Sequence, residues 1–99
     1  MAEWIYFLHP PRDDFAVSMS DDERAVFAAH RAYLEELMTQ GSLLIAGPTG
    51  GTVNTGVTVL EAPDESSARA IMDADPAIAA GIMRGELRAF RATFLRGRS

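Results

Sequence analysis

The chain has 99 residues, of which 47% are hydrophobic and 23% charged, and fourteen acids against nine arginines give it a net charge of −5. A single domain of this length buries roughly 60–65% of its unfolded surface, so its margin of stability is narrow. The absence of cysteine and lysine excludes disulfides, thiolate catalysis, cysteine-ligated zinc, Schiff-base chemistry and a Walker-type phosphate clamp, while the acidic balance opposes nucleic-acid binding.

Glu3 to His9 is bulky and β-prone, with Trp4, Tyr6 and Leu8 on one face and Ile5 and Phe7 on the other; Pro10-Pro11 stops this predicted first strand. A loop through Arg12, Asp13, Asp14 and Phe15 leads to Ser20-Asp21-Asp22-Glu23, a capping box that opens a helix running to Gln40, with Gly41 as its C-terminal cap. On a wheel of about 100° per residue, His30 falls among Val26, Phe27, Tyr33, Leu34 and Leu37, so an imidazole points inward where periodicity calls for a hydrophobe. Leu43 to Ala46, closed by Gly47-Pro48, and Thr55 to Ala62 read as an antiparallel hairpin joined by the long loop Thr49 to Asn54. Asp64 caps a second helix to about Ala74 that turns Ala68, Ile71 and Met72 inward; Asp75-Pro76 then starts a short helical turn ended by Gly81. The last predicted strand runs from Glu86 to Leu95. This order, βαββαβ, is the split-βαβ or ferredoxin-like α+β plan with a four-stranded antiparallel sheet, as one domain over 1–99.

Two helices cover one face of such a sheet, yet Trp4, Ile5, Tyr6, Phe7, Leu43, Leu44 and Ile45 make the strands apolar on both faces. A homodimer formed by packing the uncovered faces together is therefore expected, since a two-fold axis pairs one apolar surface with itself. Residues 84 to 99 concentrate five of the nine arginines, which suits a solvated strand or ion pairs across a dimer. No apolar run approaches the ~20 residues that span a bilayer, and the start Met1-Ala2-Glu3-Trp4 lacks the features of an export signal, so no membrane association and a cytoplasmic location are expected.

Several short motifs in this order resemble the YCII-related family: Pro10-Pro11-Arg12, His30-x-x-Tyr33-Leu34, Gly41 to Gly47-Pro48, the strand Gly56-Val57-Thr58-Val59-Leu60-Glu61, and Ala74-Asp75-Pro76-x-x-x-Ala80-Gly81. The resemblance covers nearly the whole chain. It implies a dimeric ferredoxin-like domain forming an α/β-barrel-like assembly, related in architecture to muconolactone isomerases. It also implies a His–Asp active site, which maps onto His30 and Asp75, and a lyase- or dehydrochlorinase-like activity on hydroxylated rings. One departure is Ala77, where members often carry an aromatic residue after Asp-Pro, and this implies a larger or looser pocket.

From the residues themselves, a neutral imidazole near pH 7 takes a proton from a phenol, an enol or a carbon beside a carbonyl, provided a partner fixes its tautomer. His30 is the candidate base and Asp75 the partner; Arg12, after the rigid Pro-Pro, is the candidate cation for an anionic intermediate, and Tyr33, Gly47 and Pro48 complete the candidate substrate-binding set. On local grounds alone, a satisfied core histidine is the commoner reading of His30, and Asp75 is simply the N-cap before Pro76; the family resemblance is what brings the catalytic reading level. His9 near Asp13 and Asp14 is weak support for a metal, and no cofactor is expected. Two functional classes follow: a small cofactor-free acid–base enzyme of lyase or isomerase type acting on an aromatic or carbonyl metabolite, or a non-catalytic dimeric module that binds a small ligand or a protein.

Overall fold

Strand β1 (Ala2–His9) is the spine of a four-stranded sheet of order β2-β3-β1-β4, in which β2 (Leu43–Pro48), β3 (Gly56–Ala62) and β4 (Arg84–Phe90) pair antiparallel throughout. A computed structural model describes residues 2–97; Met1, together with Arg98 and Ser99 of the basic C-terminal stretch, lies outside the described residues. The architecture is the α+β, ferredoxin-like one that the motif order implies, with two additional short helices. Among the described residues, no helix is long and apolar enough to cross a membrane.

Alternation along β1 decides the layers. Tyr6 and Leu8 are buried under the helices with Leu60, Ala62, Ala68, Met72, Ala77 and Met83, while Trp4 and Leu87 pack at the margin of this cluster. Fully burying one such aliphatic side chain contributes roughly 1.5–3 kcal/mol. The opposite face carries Ile5, Phe7 and His9, and its exposed apolar groups include Ile45 and Phe90.

The helix α2 (Asp21–Thr39) starts as its sequence dictates. Ser20 Oγ accepts from the Glu23 N–H, and the Glu23 carboxylate accepts from the Ser20 N–H. Its half-buried stripe comprises Val26, Phe27, His30, Tyr33 and Leu34, with Leu37 fully buried, which is the face the helical wheel selects. Asp64 caps α3 (Glu65–Ala74) through Ser67 N–H. Pro76 then forces Asp75 into extended backbone (φ −61°, ψ 123°), which ends α3 and starts α4 (Pro76–Ala79).

Two expectations shift. The stretch after Arg12 is not all loop: Phe15–Ser18 forms a helical turn, α1, whose preceding residue Asp14 sits at φ 56° and supplies no side-chain cap. Long-range contacts replace that cap, with Asp14 N–H donating to the Thr52 carbonyl and Ala16 N–H to Asn54 Oδ1, so no local pattern announces the turn. The last strand runs Arg84–Phe90 rather than Glu86 to Leu95, because β1 sets its register from His9↔Arg84 to Glu3↔Phe90 and β1 itself begins at Ala2. Beyond that pairing Phe94 is 96% exposed.

Candidate active site

The break between α3 and α4 turns the Asp75 side chain into the interior, where it is fully buried. A buried carboxylate is tolerated only when its oxygens are satisfied, and three groups converge on this one. His30 Nδ1 lies 2.7 Å from Oδ1, the Ala77 N–H donates to the same oxygen at 3.0 Å, and the Tyr6 hydroxyl donates to Oδ2 at 2.7 Å. Burial, then the Asp75 charge, pushes the Tyr6 hydroxyl above the ordinary phenol range; the neighbouring Thr58 hydroxyl pulls the other way without making a full hydrogen bond of its own. Tyr6 therefore remains a donor at any ordinary pH. Each contact gives a hydrogen to the carboxylate, which assigns the proton of a neutral His30 to Nδ1 and leaves the lone pair on Nε2.

Nε2 has no hydrogen-bond partner among the described residues, and His30 lines a cavity of about 340 Å³ between the sheet, α2 and α1. Leu8, Phe15, Phe27, Leu34, Val57 and Met83 make much of its wall apolar, and Gly47 and Pro48 sit at the β2 end. The imidazole packs tilted against Phe27, centroids 5.1 Å apart and planes at 57°, and Phe27 packs in turn against Phe15. The glycine-rich β2–β3 loop is tied to α1 through Thr52 and Asn54, and Asn54 also binds the loop's own carbonyls at Thr49 and Gly51. The loop thus helps to enclose the cavity as a fixed wall.

Of the residues nominated from the sequence, His30, Asp75, Gly47 and Pro48 come together here. Arg12 and Tyr33 are not on the cavity wall. Arg12 places two guanidinium nitrogens on the Glu23 carboxylate at 2.7 and 2.9 Å and two on Ser18, and it lies over the Phe15 ring, 5.1 Å from its centroid. That clasp holds the Glu23 carboxyl down at about 2. Tyr33 donates to the Ile71 carbonyl at 2.7 Å and so pins α2 to α3; burial and then the Asp75 charge raise its hydroxyl. Ala77 is fully buried core rather than cavity wall. His9 turns away from Asp13 and Asp14 to Glu86, 2.7 Å away on the open face, and no group of three metal-ligating side chains is assembled among the described residues.

Two residues of the site carry no local sequence signal. Tyr6 reads as a core aromatic, and its link to Asp75 spans 69 positions. Arg31 reads as a solvated helix residue, yet it lines the cavity next to His30.

Residues 4–90 match the family described as YCII-related domain. Among solved structures, the chain is similar to 5-chloro-2-hydroxyhydroquinone dehydrochlorinase from Burkholderia phenoliruptrix AC1100, in a complex with 2,5-dihydroxybenzoquinone. The TM-score is 0.68 at 22% identity, over 92% of this chain and 94% of that one, a likeness of fold. No curated protein matches the sequence.

Proposed function

The chain belongs to the YCII-related domain family, and from that premise we propose that it is an acid–base enzyme of lyase or isomerase type acting on a small hydroxylated ring or carbonyl compound. One observation carries the reading: an imidazole fixed at Nδ1 by a sealed carboxylate lines a largely apolar cavity, and its other nitrogen has no hydrogen-bond partner among the described residues. A cavity of about 340 Å³ is roughly twice the ~150 Å³ void that accepts benzene, so it suits one substituted ring. The similar solved structure, named for its action on a chlorinated hydroxyhydroquinone, supports the same substrate class.

In this reading His30 Nε2 takes the proton of a ring hydroxyl or of a carbon beside a carbonyl, and the freed electron pair moves into the ring or onto the carbonyl oxygen. A leaving group then departs with its bonding pair, or the imidazolium returns the proton at a different carbon. Asp75 accepts the Nδ1–H and stabilises the imidazolium, while Tyr6 and the Ala77 N–H stop the carboxylate from rotating. A second copy of the chain against the open sheet face, with its exposed Ile45 and Phe90, belongs to the same proposal, and a monomer mass in sedimentation would remove that part.

The test is turnover of a panel of hydroxylated benzenes, quinones and keto acids by the wild-type chain and by His30→Gln. Loss of turnover by a variant that stays folded, with its melting temperature lowered only by the missing donor to Asp75, is expected. Undiminished turnover by the variant would sink the proposal.

A further inference from the structure

Among the described residues, the cavity wall carries two ionisable side chains, His30 and Arg31, and no aspartate or glutamate lines it. In a chain of net charge −5, a cavity free of acids with an arginine at its edge selects for the sign of its ligand. Arg31 follows His30 directly on α2, and its hold elsewhere is slight. Only Nε is engaged, 3.2 Å from Glu35 Oε1, one turn along the same helix, and both side chains are largely exposed, 84% and 69%. Exposed pairs at this spacing contribute little and exchange readily. The two terminal guanidinium nitrogens have no protein partner among the described residues, which leaves the bidentate edge free.

The other arginines near the cavity are committed. Arg12 is held on Glu23 and Ser18, and Arg24 donates to the Met19 carbonyl and to Asp21. The cation duty that strand-end position suggests for Arg12 is thus open to Arg31 alone among the cavity-lining residues.

We infer that the cavity takes a ring compound bearing a negative charge, a carboxylate or an ionised ring hydroxyl, whose charged oxygen is held by the Arg31 guanidinium. The apolar wall then receives the ring face, and, resting on the acid–base reading above, the acidic hydrogen of the ligand lies toward His30 Nε2. A neutral ring of the same shape fills the same space without the charge-assisted hydrogen bonds.

The probes are salicylate and salicylamide, which share a ring and a ring hydroxyl but differ in charge. Each is titrated calorimetrically against the full chain at pH 7 and low salt, using wild type, Arg31→Gln and, as a charge control on the open sheet face, Arg88→Gln. Wild type is expected to prefer salicylate by about tenfold. Arg31→Gln should remove that preference by weakening salicylate alone, with salicylamide affinity unchanged, and Arg88→Gln should keep it. Added salt should narrow the wild-type gap. Equal affinities in wild type, binding of neither probe at millimolar concentration, or a preference that survives Arg31→Gln would overturn the inference. Because binding is read without turnover, an active His30→Gln variant would sink the acid–base reading and leave this result standing.

Discussion

Two histidine–carboxylate pairs lie on opposite faces of the same sheet with the same 2.7 Å separation, His30–Asp75 under the helices and His9–Glu86 on the open face. Distance does not tell them apart; surroundings do. Asp75 is sealed, receives two further donors and cannot turn, whereas the Glu86 side chain is 39% exposed and shares its charge with Arg88 at 3.8 Å. His30 lines a cavity, and His9 stacks on the Phe7 ring, centroids 6.1 Å apart, half-buried on the open sheet face. A general base needs fixed orientation together with access for a substrate, and only the inner pair combines the two.

The sharpest way to break this comparison is to remove each imidazole in turn. His30→Gln should lower turnover by about 10²–10⁴-fold, the usual contribution of a positioned general base, and His9→Gln should leave it within about twofold. Comparable losses in both would mean that the inner pair has no special role. Next in size is the effect on stability. Asp75→Asn places an amide nitrogen against either the Tyr6 hydroxyl or the Nδ1–H of His30, or both contacts must rearrange, so chemical denaturation should show a loss of about 2–4 kcal/mol. Glu86→Gln on the open face should change the same measurement far less.

The inner pair was half legible in the sequence. Helical periodicity turned His30 inward, and Asp75-Pro76 marked a helix break, since both signals are local. That the two meet is a tertiary fact, which the residues alone left open and the family resemblance supplied. Tyr6 carries no such signal, because a tyrosine in an alternating strand reads as core, and its hydroxyl declares a role only when its partner is known. Arg12 was nominated for its position after two prolines, but its charge was already claimed by Glu23, the same residue that completes the capping box eleven positions on. In α2 and α3 periodicity and caps coincide, and β1 is a bulky β-prone run stopped by two prolines, so those elements are readable. In α1 the stabilising donors' partners sit in a loop some forty residues away, and β4 takes its bounds from the register of β1.

The two faces also differ in how they accept bulk. Gly85 and Glu86 are neighbours on β4 and point oppositely. A Cβ at Gly85 would stand 2.9 Å from both Ile78 Cδ1 and Met72 Sδ, on the packed face beneath α3 and α4. Those atoms are side-chain ends that can yield, so Gly85→Ala should cost about 1–2 kcal/mol in denaturant unfolding rather than prevent folding. Glu86→Ala, meeting no packed layer, should cost less. A larger loss at 86 than at 85 would show that the open face is the more tightly constrained.

The smallest expected effect separates the pairs by pH. The hydrogen bond from His9 is the main cause holding Glu86 below the ordinary value of 4.5, with nearby arginines adding to it. A carboxyl lowered on folding stabilises the folded chain above its unfolded value, and that contribution disappears as pH falls through the lowered folded value. The melting-temperature gap between wild type and Glu86→Gln should therefore be slightly positive at pH 6, shrink below about 4.5 and close in stronger acid. Because the pair lies on the open face and is only half-buried, added salt should shrink the same gap at pH 6, while leaving the penalty of Asp75→Asn nearly unchanged. A gap that persisted at low pH, or that resisted salt, would place the His9–Glu86 contact in a shielded environment such as a subunit interface, and the contrast between the two faces would then hold for the isolated chain alone.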